Sequence, residues 1–191
     1  TQLFINIYMQ LFALILLFSS ISCSFSKEYK AVDELNIPQY MGKWYQVYKD
    51  KFDNLFQKNG ICSTAEYVLS QDNIVKVLNK QIANNQYDSI TGIAYYDDDD
   101  CCGYLTVELK DQSPAPYWVL ELGPIVDGLY DYSIVSDNNA ISLFVLTRDV
   151  ERFYKQYQEQ VDKSLNEFGF TKSYNEPEIM NQTNCVINNE S

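Results

Sequence analysis

The side chains that most readily do covalent or metal chemistry in this sequence are five cysteines, Cys23, Cys62, Cys101, Cys102 and Cys185, and no histidine accompanies them. Without imidazole there is no Ser-His or Cys-His nucleophile pair, no histidine general base and no histidine metal ligand. Asp97 to Asp100 form an acidic run, but a calcium cage needs spaced oxygens and a turn glycine, so the run is expected to be a solvated loop. The sequence carries no P-loop, dinucleotide fingerprint, nucleophile elbow or C-x-x-C motif. Neither a metal nor a cofactor is expected. The 14 basic against 26 acidic residues give a net charge of −12, and such a field repels the phosphates of a nucleic-acid partner. The missing histidines remove much of enzymology, and the expectation is a protein that is not an enzyme.

The compartment decides what the thiols do. Residues 1–26 carry no charge, and Leu11 to Phe18 is an unbroken apolar run followed by the small residues Ser19, Ser20 and Ser22. That is the layout of a secretory signal peptide cut near 22–24, leaving one domain over 27–191. The rival expectations are an uncleaved anchor and acylation of Cys23, with Met9 as an alternative start. Export permits disulfides, and it makes the sequons at Asn181 and Asn189 candidate glycosylation sites. The expected location is extracellular.

From Gly42 onward the sequence reads as short strands separated by turn residues, as in a meandering barrel. Eight are expected: 42–49, 62–69, 74–82, 89–96, 104–110, 117–122, 130–136 and 141–147. Asn84-Asn85 and Asp137-Asn138-Asn139 are turn signals. The period then changes. Val150, Phe153, Tyr154, Tyr157, Val161, Leu165 and Phe168 recur at three and four, which is an amphipathic helix with Asp149 as N-cap and Gly169 as terminator. The expected fold is all-β: an eight-stranded antiparallel up-and-down barrel with a C-terminal helix packed outside. Eight strands enclose a space for side chains or one small ligand.

Three short motifs fall along this frame. Gly42-Lys43-Trp44 opens the first strand, Asp131-Tyr132 lies in the seventh, and Arg148 directly follows the eighth. With Ala115 to Leu120 and Ile74 to Asn79, they make the chain resemble the lipocalins, in particular the branch of apolipoprotein D and the bacterial outer-membrane lipocalin, from about Asn36 to Cys185. The resemblance implies that Trp44 closes the barrel floor with the Arg148 guanidinium over its indole, a structural contact. It also implies a disulfide between Cys62 and Cys185. Cys101 and Cys102 have no counterpart; they can pair with each other, outward, or with Cys23.

The same resemblance sets which alternate residues face inward: Ala65, Tyr67, Leu69, Val75, Val77, Asn79, Leu105, Val107, Leu109, Tyr117, Val119, Phe144 and Leu146. Tyr67, Val77, Asn79, Val107, Tyr117, Phe144 and Leu146 are the candidate ligand contacts. The alternative is that these side chains simply fill the barrel. Asp50 to Gly60 would partly lid the mouth, with Leu55 and Phe56 over the ligand or in transient contact with a membrane. The implied function is carriage of a small hydrophobic molecule such as a fatty acid, lysolipid, sterol or related lipid. The competing readings are a lipid isomerase using a free cavity thiol and a membrane-tethered lipid-handling lipoprotein.

Overall fold

The computed structural model describes residues 29–51, 60–96 and 102–185. The charge-free leader with Met9 and Cys23, the residues Leu55 and Phe56, the acidic run with Cys101, and Asn189 lie outside them.

A four-residue helix, α1 (Ile37–Tyr40), leads into β1 (Gly42–Lys49), β2 (Ile61–Leu69), β3 (Val75–Ala83), β4 (Gln86–Tyr96), β5 (Tyr104–Leu109) and β6 (Ala115–Leu122). A small hairpin of β7 (Ile125–Val126) and β8 (Leu129–Tyr130) precedes β9 (Tyr132–Ser136) and β10 (Leu143–Thr147). The antiparallel order is β10-β9-β6-β5-β4-β3-β2-β1, and β1 pairs back onto β10. That closes an eight-stranded barrel, as the strand pattern predicts, and closure leaves no long exposed edge for a second chain to pair with. Asn84 and Asn85 join β3 to β4 with φ of 52° and 60°, a left-handed pair that asparagine tolerates. Asp137 fixes the β9–β10 turn, its carboxylate accepting the backbone N–H groups of Asn139, Ile141 and Ser142. β4 starts at Gln86, three residues ahead of the alternation, because Gln86, Tyr87 and Asp88 stand in solvent and carry no inside-outside pattern.

After β10 the chain runs through α2 (Val150–Arg152), a π-helical turn (Phe153–Tyr157) and α3 (Gln158–Phe168). Asp149 caps the start, its Oδ1 accepting Arg152 N–H at 2.9 Å. Gly169 ends it with φ +90°, which lets Gly169 and Phe170 return hydrogen bonds to Asn166 and Leu165. The helical run lies outside the barrel. Its Phe153, Val161, Leu165 and Phe168 form one core with Val47, Tyr48, Ile134, Leu143 and Val145 on the outer faces of β1, β9 and β10. A second core occupies the barrel interior, around Tyr40, Trp44, Tyr67, Val77, Leu105, Val119 and Leu146.

One seam of the barrel is made differently. β1 and β2 pair only from Gly42↔Tyr67 to Tyr45↔Thr64. Beyond that they part, and β11 (Glu178–Ile179) pairs with Tyr48 and Lys49 of β1 instead. On its other side the tail meets β2: Cys62 N–H donates to Asn181 O at 2.7 Å, and the Gln182 amide donates to the carbonyls of both Gln46 and Ser63 at 2.7 Å. The Cys62–Cys185 disulfide, with Cα atoms 5.6 Å apart, locks the tail in that gap.

Candidate ligand-binding site

The floor is built from the motif residues. Gly42 has φ +92°, a left-handed conformation, and a Cβ there would lie 3.5 Å from the Arg148 guanidinium. Glycine therefore lets the chain turn from α1 into β1 directly over that cation. Trp44 is fully buried, its indole N–H donates to Tyr40 O at 2.9 Å, and Arg148 Cζ sits 3.5 Å from its ring centroid. The guanidinium donates to the carbonyls of Tyr130 (3.1 Å), Lys43 (2.7 Å), Tyr40 (3.0 Å) and Met41 (2.8 Å), with a longer contact to Gln39. A planar fork with several donors reaches these oxygens at once, where an ammonium could not. Burial lowers the Arg148 pKa to about 10, which leaves it charged at any physiological pH.

Asp131 and Tyr132 bind the barrel to the helix rather than to a ligand. Asp131 is buried and takes a bidentate pair of bonds from Arg152, both at 2.7 Å. Tyr132 donates to Glu121 at 2.8 Å and accepts from Gln160 on α3. The sequence reading did not find Arg152. It pairs with a residue 21 positions away, on a contact that local spacing does not signal.

Above the floor lies a cavity of about 500 Å³. Tyr67, Val77, Asn79, Val107, Tyr117, Phe144 and Leu146 all line it. So do Ala65, Val75, Leu105 and Leu109, whereas Leu69 and Val119 pack into the apolar cluster around Trp44 without lining the cavity. Leu35, Ile37, Tyr40 and Met41, from α1 and its approach, also contribute to the lining. They escaped the sequence reading because they precede the first strand and show no alternation. Towards the rim the lining turns polar, with Gln46, Ser63, Gln81, Asp88 and Ser142. Ser63 lines the cavity beside Thr64 and Ala65 because the β2–β3 register shifts between Ile61 and Thr64, which an even alternation does not anticipate.

The deepest polar feature is a file of hydroxyls. Ser133 Oγ and Tyr40 Oη are 3.0 Å apart, Tyr40 and Tyr117 2.9 Å, and Tyr117 and Tyr67 3.1 Å. The Tyr40 and Tyr67 rings stack at 5.8 Å and 8°. Burial pushes the Tyr40 phenol up to about 12 and holds Tyr67 and Tyr117 above the usual tyrosine range. All three are neutral donors and acceptors at physiological pH. Among the described residues no group of three or more Cys, Asp and Glu side chains could hold a metal ion.

A family model described as a lipocalin-like domain matches residues 35–175. The chain belongs to the lipocalin family. Lipocalins generally bind small hydrophobic ligands. This lipocalin is 28% identical to temperature-induced lipocalin-1 of Arabidopsis thaliana over 80% of its own length and 84% of the relative's. It is 31% identical to the outer membrane lipoprotein Blc of Vibrio cholerae, over 62% and 68%. Among solved structures, insecticyanin from the tobacco hornworm Manduca sexta superposes with a TM-score of 0.59 at 17% identity, covering 82% of this lipocalin and 86% of insecticyanin. That likeness is one of fold.

Proposed function

We propose that this lipocalin is an extracellular carrier of one small hydrophobic molecule, of the fatty acid, lysolipid, sterol or related lipid class, held in the barrel cavity. The observation that carries the reading is the 500 Å³ cavity with a largely aliphatic and aromatic lining over a sealed floor. Such a cup transfers apolar ligand surface out of water at roughly 25 cal/mol per Å², before ordering costs. The Cys62–Cys185 bridge supports an oxidising compartment. It also supports carriage over catalysis, because it removes Cys62 as a thiolate nucleophile. Asn181 is exposed, and its Oδ1 accepts both the N–H and the hydroxyl of Thr183. That geometry suits glycan attachment at its Nδ2.

The test is native mass spectrometry of the full chain purified from a secreting host without denaturation. The expected spectrum shows a one-to-one complex with an extractable hydrophobic molecule. A bare polypeptide that takes up no lipid from a mixed extract contradicts the carrier reading.

A further inference from the structure

The floor hydroxyls hold one more hydrogen than their own bonds consume. Ser133, Tyr40, Tyr117 and Tyr67 form a linear file with three contacts, at 3.0, 2.9 and 3.1 Å. Each hydroxyl carries one donor hydrogen and two acceptor lone pairs. Four hydrogens serve three links, so in every arrangement one hydroxyl donates to none of the others. Three of the four, Tyr40, Tyr67 and Tyr117, line the cavity, and Tyr117 is the more accessible of them. A donor left without an acceptor in a desolvated floor costs free energy, and an oxygen entering from the cavity removes that cost.

The surroundings set the charge of that oxygen. The one cation beneath the floor, Arg148, lies on the far side of Trp44 with its donors on main-chain carbonyls. Its positive field reaches the floor, but its hydrogen bonds all go to main-chain carbonyls and none to the hydroxyl file. An ionised carboxylate brought here would exchange its hydration for a single O–H donor, which does not repay its desolvation. A ketone, ester or alcohol oxygen loses little hydration and gains the spare hydrogen. Leu105, beside Tyr117 on the neighbouring strand, and Val107 and Leu146 present no polar side-chain atom to the cavity.

We infer that the Tyr40–Tyr117–Tyr67 file is a recognition subsite for a neutral oxygen acceptor, and that the ligand lies with this oxygenated end at the barrel floor. This rests on the carrier reading and narrows it from hydrophobic molecules at large to neutral oxygenated ones.

The hydrogen count gives an unusual signature. Tyr67→Phe shortens the file to three hydroxyls and two links, so one spare hydrogen remains and passes to Tyr117 or beyond. The double variant Tyr67→Phe/Tyr117→Phe leaves the spare hydrogen on Tyr40 or Ser133, away from the accessible part of the floor. Both keep the aromatic rings. The probes are a long-chain methyl ketone and the alkane and carboxylate of equal length, measured by displacement of anilinonaphthalene sulfonate. The single variant is expected to change ketone affinity by less than about twofold, and the double variant to weaken it about fivefold with alkane affinity unchanged.

Equal ketone affinity in wild type and double variant overturns the subsite while leaving the carrier reading intact, as long as the alkane binds. An ionised carboxylate weakened by the double variant as much as the ketone overturns the neutral assignment. Binding of none of the probes by wild type overturns carrier and subsite together. If the double variant loses alkane binding as well, the carbonyl stretch of the ketone bound to wild type decides. A stretch below its value in hexane supports the subsite, and the hexane value refutes it.

Discussion

At the floor of the barrel, Trp44, Arg148 and Tyr40 are joined by a cation–π stack and hydrogen bonds to main-chain carbonyls, within or next to the Gly42–Tyr45 stretch where β1 is paired with β2. At the rim, β1 and β2 separate after Tyr45↔Thr64, and the gap is filled by a tail from the far end of the chain and fixed by one covalent bond. The contrast separates two ways of closing a sheet. The floor is closed by buried interactions that form whenever the barrel forms. The seam relies on a tail whose β11 is only two residues long, tied by a few hydrogen bonds and by a bond that forms only under oxidising conditions. Floor stability should therefore be indifferent to redox conditions, and rim order should not be.

The largest effect is expected from Arg148→Ala, which takes a charged donor from the carbonyls of Tyr130, Lys43, Tyr40 and Met41 and uncovers Trp44. A loss of about 4 kcal/mol is expected, corresponding to a Tm lower by about 10 °C in calorimetry. Arg148→Lys keeps the charge but forfeits the planar stack, so it should recover little of that loss. A Tm unchanged in either variant would break the claim that the floor is closed by this contact.

Next in size is the Cys62–Cys185 bridge. Reduction, or Cys185→Ser, is expected to cost about 3 kcal/mol. Hydrogen exchange would localise it: the amides of Cys62 and Met180, which donate to Asn181 O and Val47 O, should lose protection while Trp44 and Val145 keep theirs. Equal loss of protection at floor and rim would erase the distinction between the two regions.

The smallest effect is confined to alkaline solution. The folded state holds the Tyr40 proton to about 12 against an ordinary value of 10. Its contribution to stability is therefore fully present below pH 10 and lost as pH rises towards 12. Denaturant midpoints should be flat up to pH 10 and fall above it, with a shallower fall in Tyr40→Phe. A midpoint that starts to fall well below pH 10 would argue against a floor held by buried phenols.

Much of this architecture is legible in the sequence because it is periodic. Alternation marks the eight strands, a three-four spacing marks the helix, and Asp149 and Gly169 mark its ends. The Trp44–Arg148 stack and the cavity-lining set follow from the resemblance carried by those motifs. The parts that escape have no period to read. The π-helical turn arises inside a spacing that an α-helix also satisfies. The tail strand is set by pairing to β1 and by Gln182, neither of which alternates. The Arg152–Asp131 pair joins positions 21 residues apart, and the four-hydroxyl file joins four elements far apart in sequence. Such long-range polar partnerships are created by the fold, and local pattern does not encode them.

The central claim is that the barrel interior is a binding cavity for one small hydrophobic molecule. Val107 lines that cavity from β5, so Val107→Trp should project an indole into the space a ligand would occupy and leave the outer core around Phe153 and Leu165 untouched. The direct measurement is a fluorescence titration of wild type and Val107→Trp with a hydrophobic probe, beside their circular dichroism spectra. The account predicts saturable one-to-one binding by wild type and its loss in a variant that remains folded. Equal binding by the folded variant, or none by wild type, would contradict it.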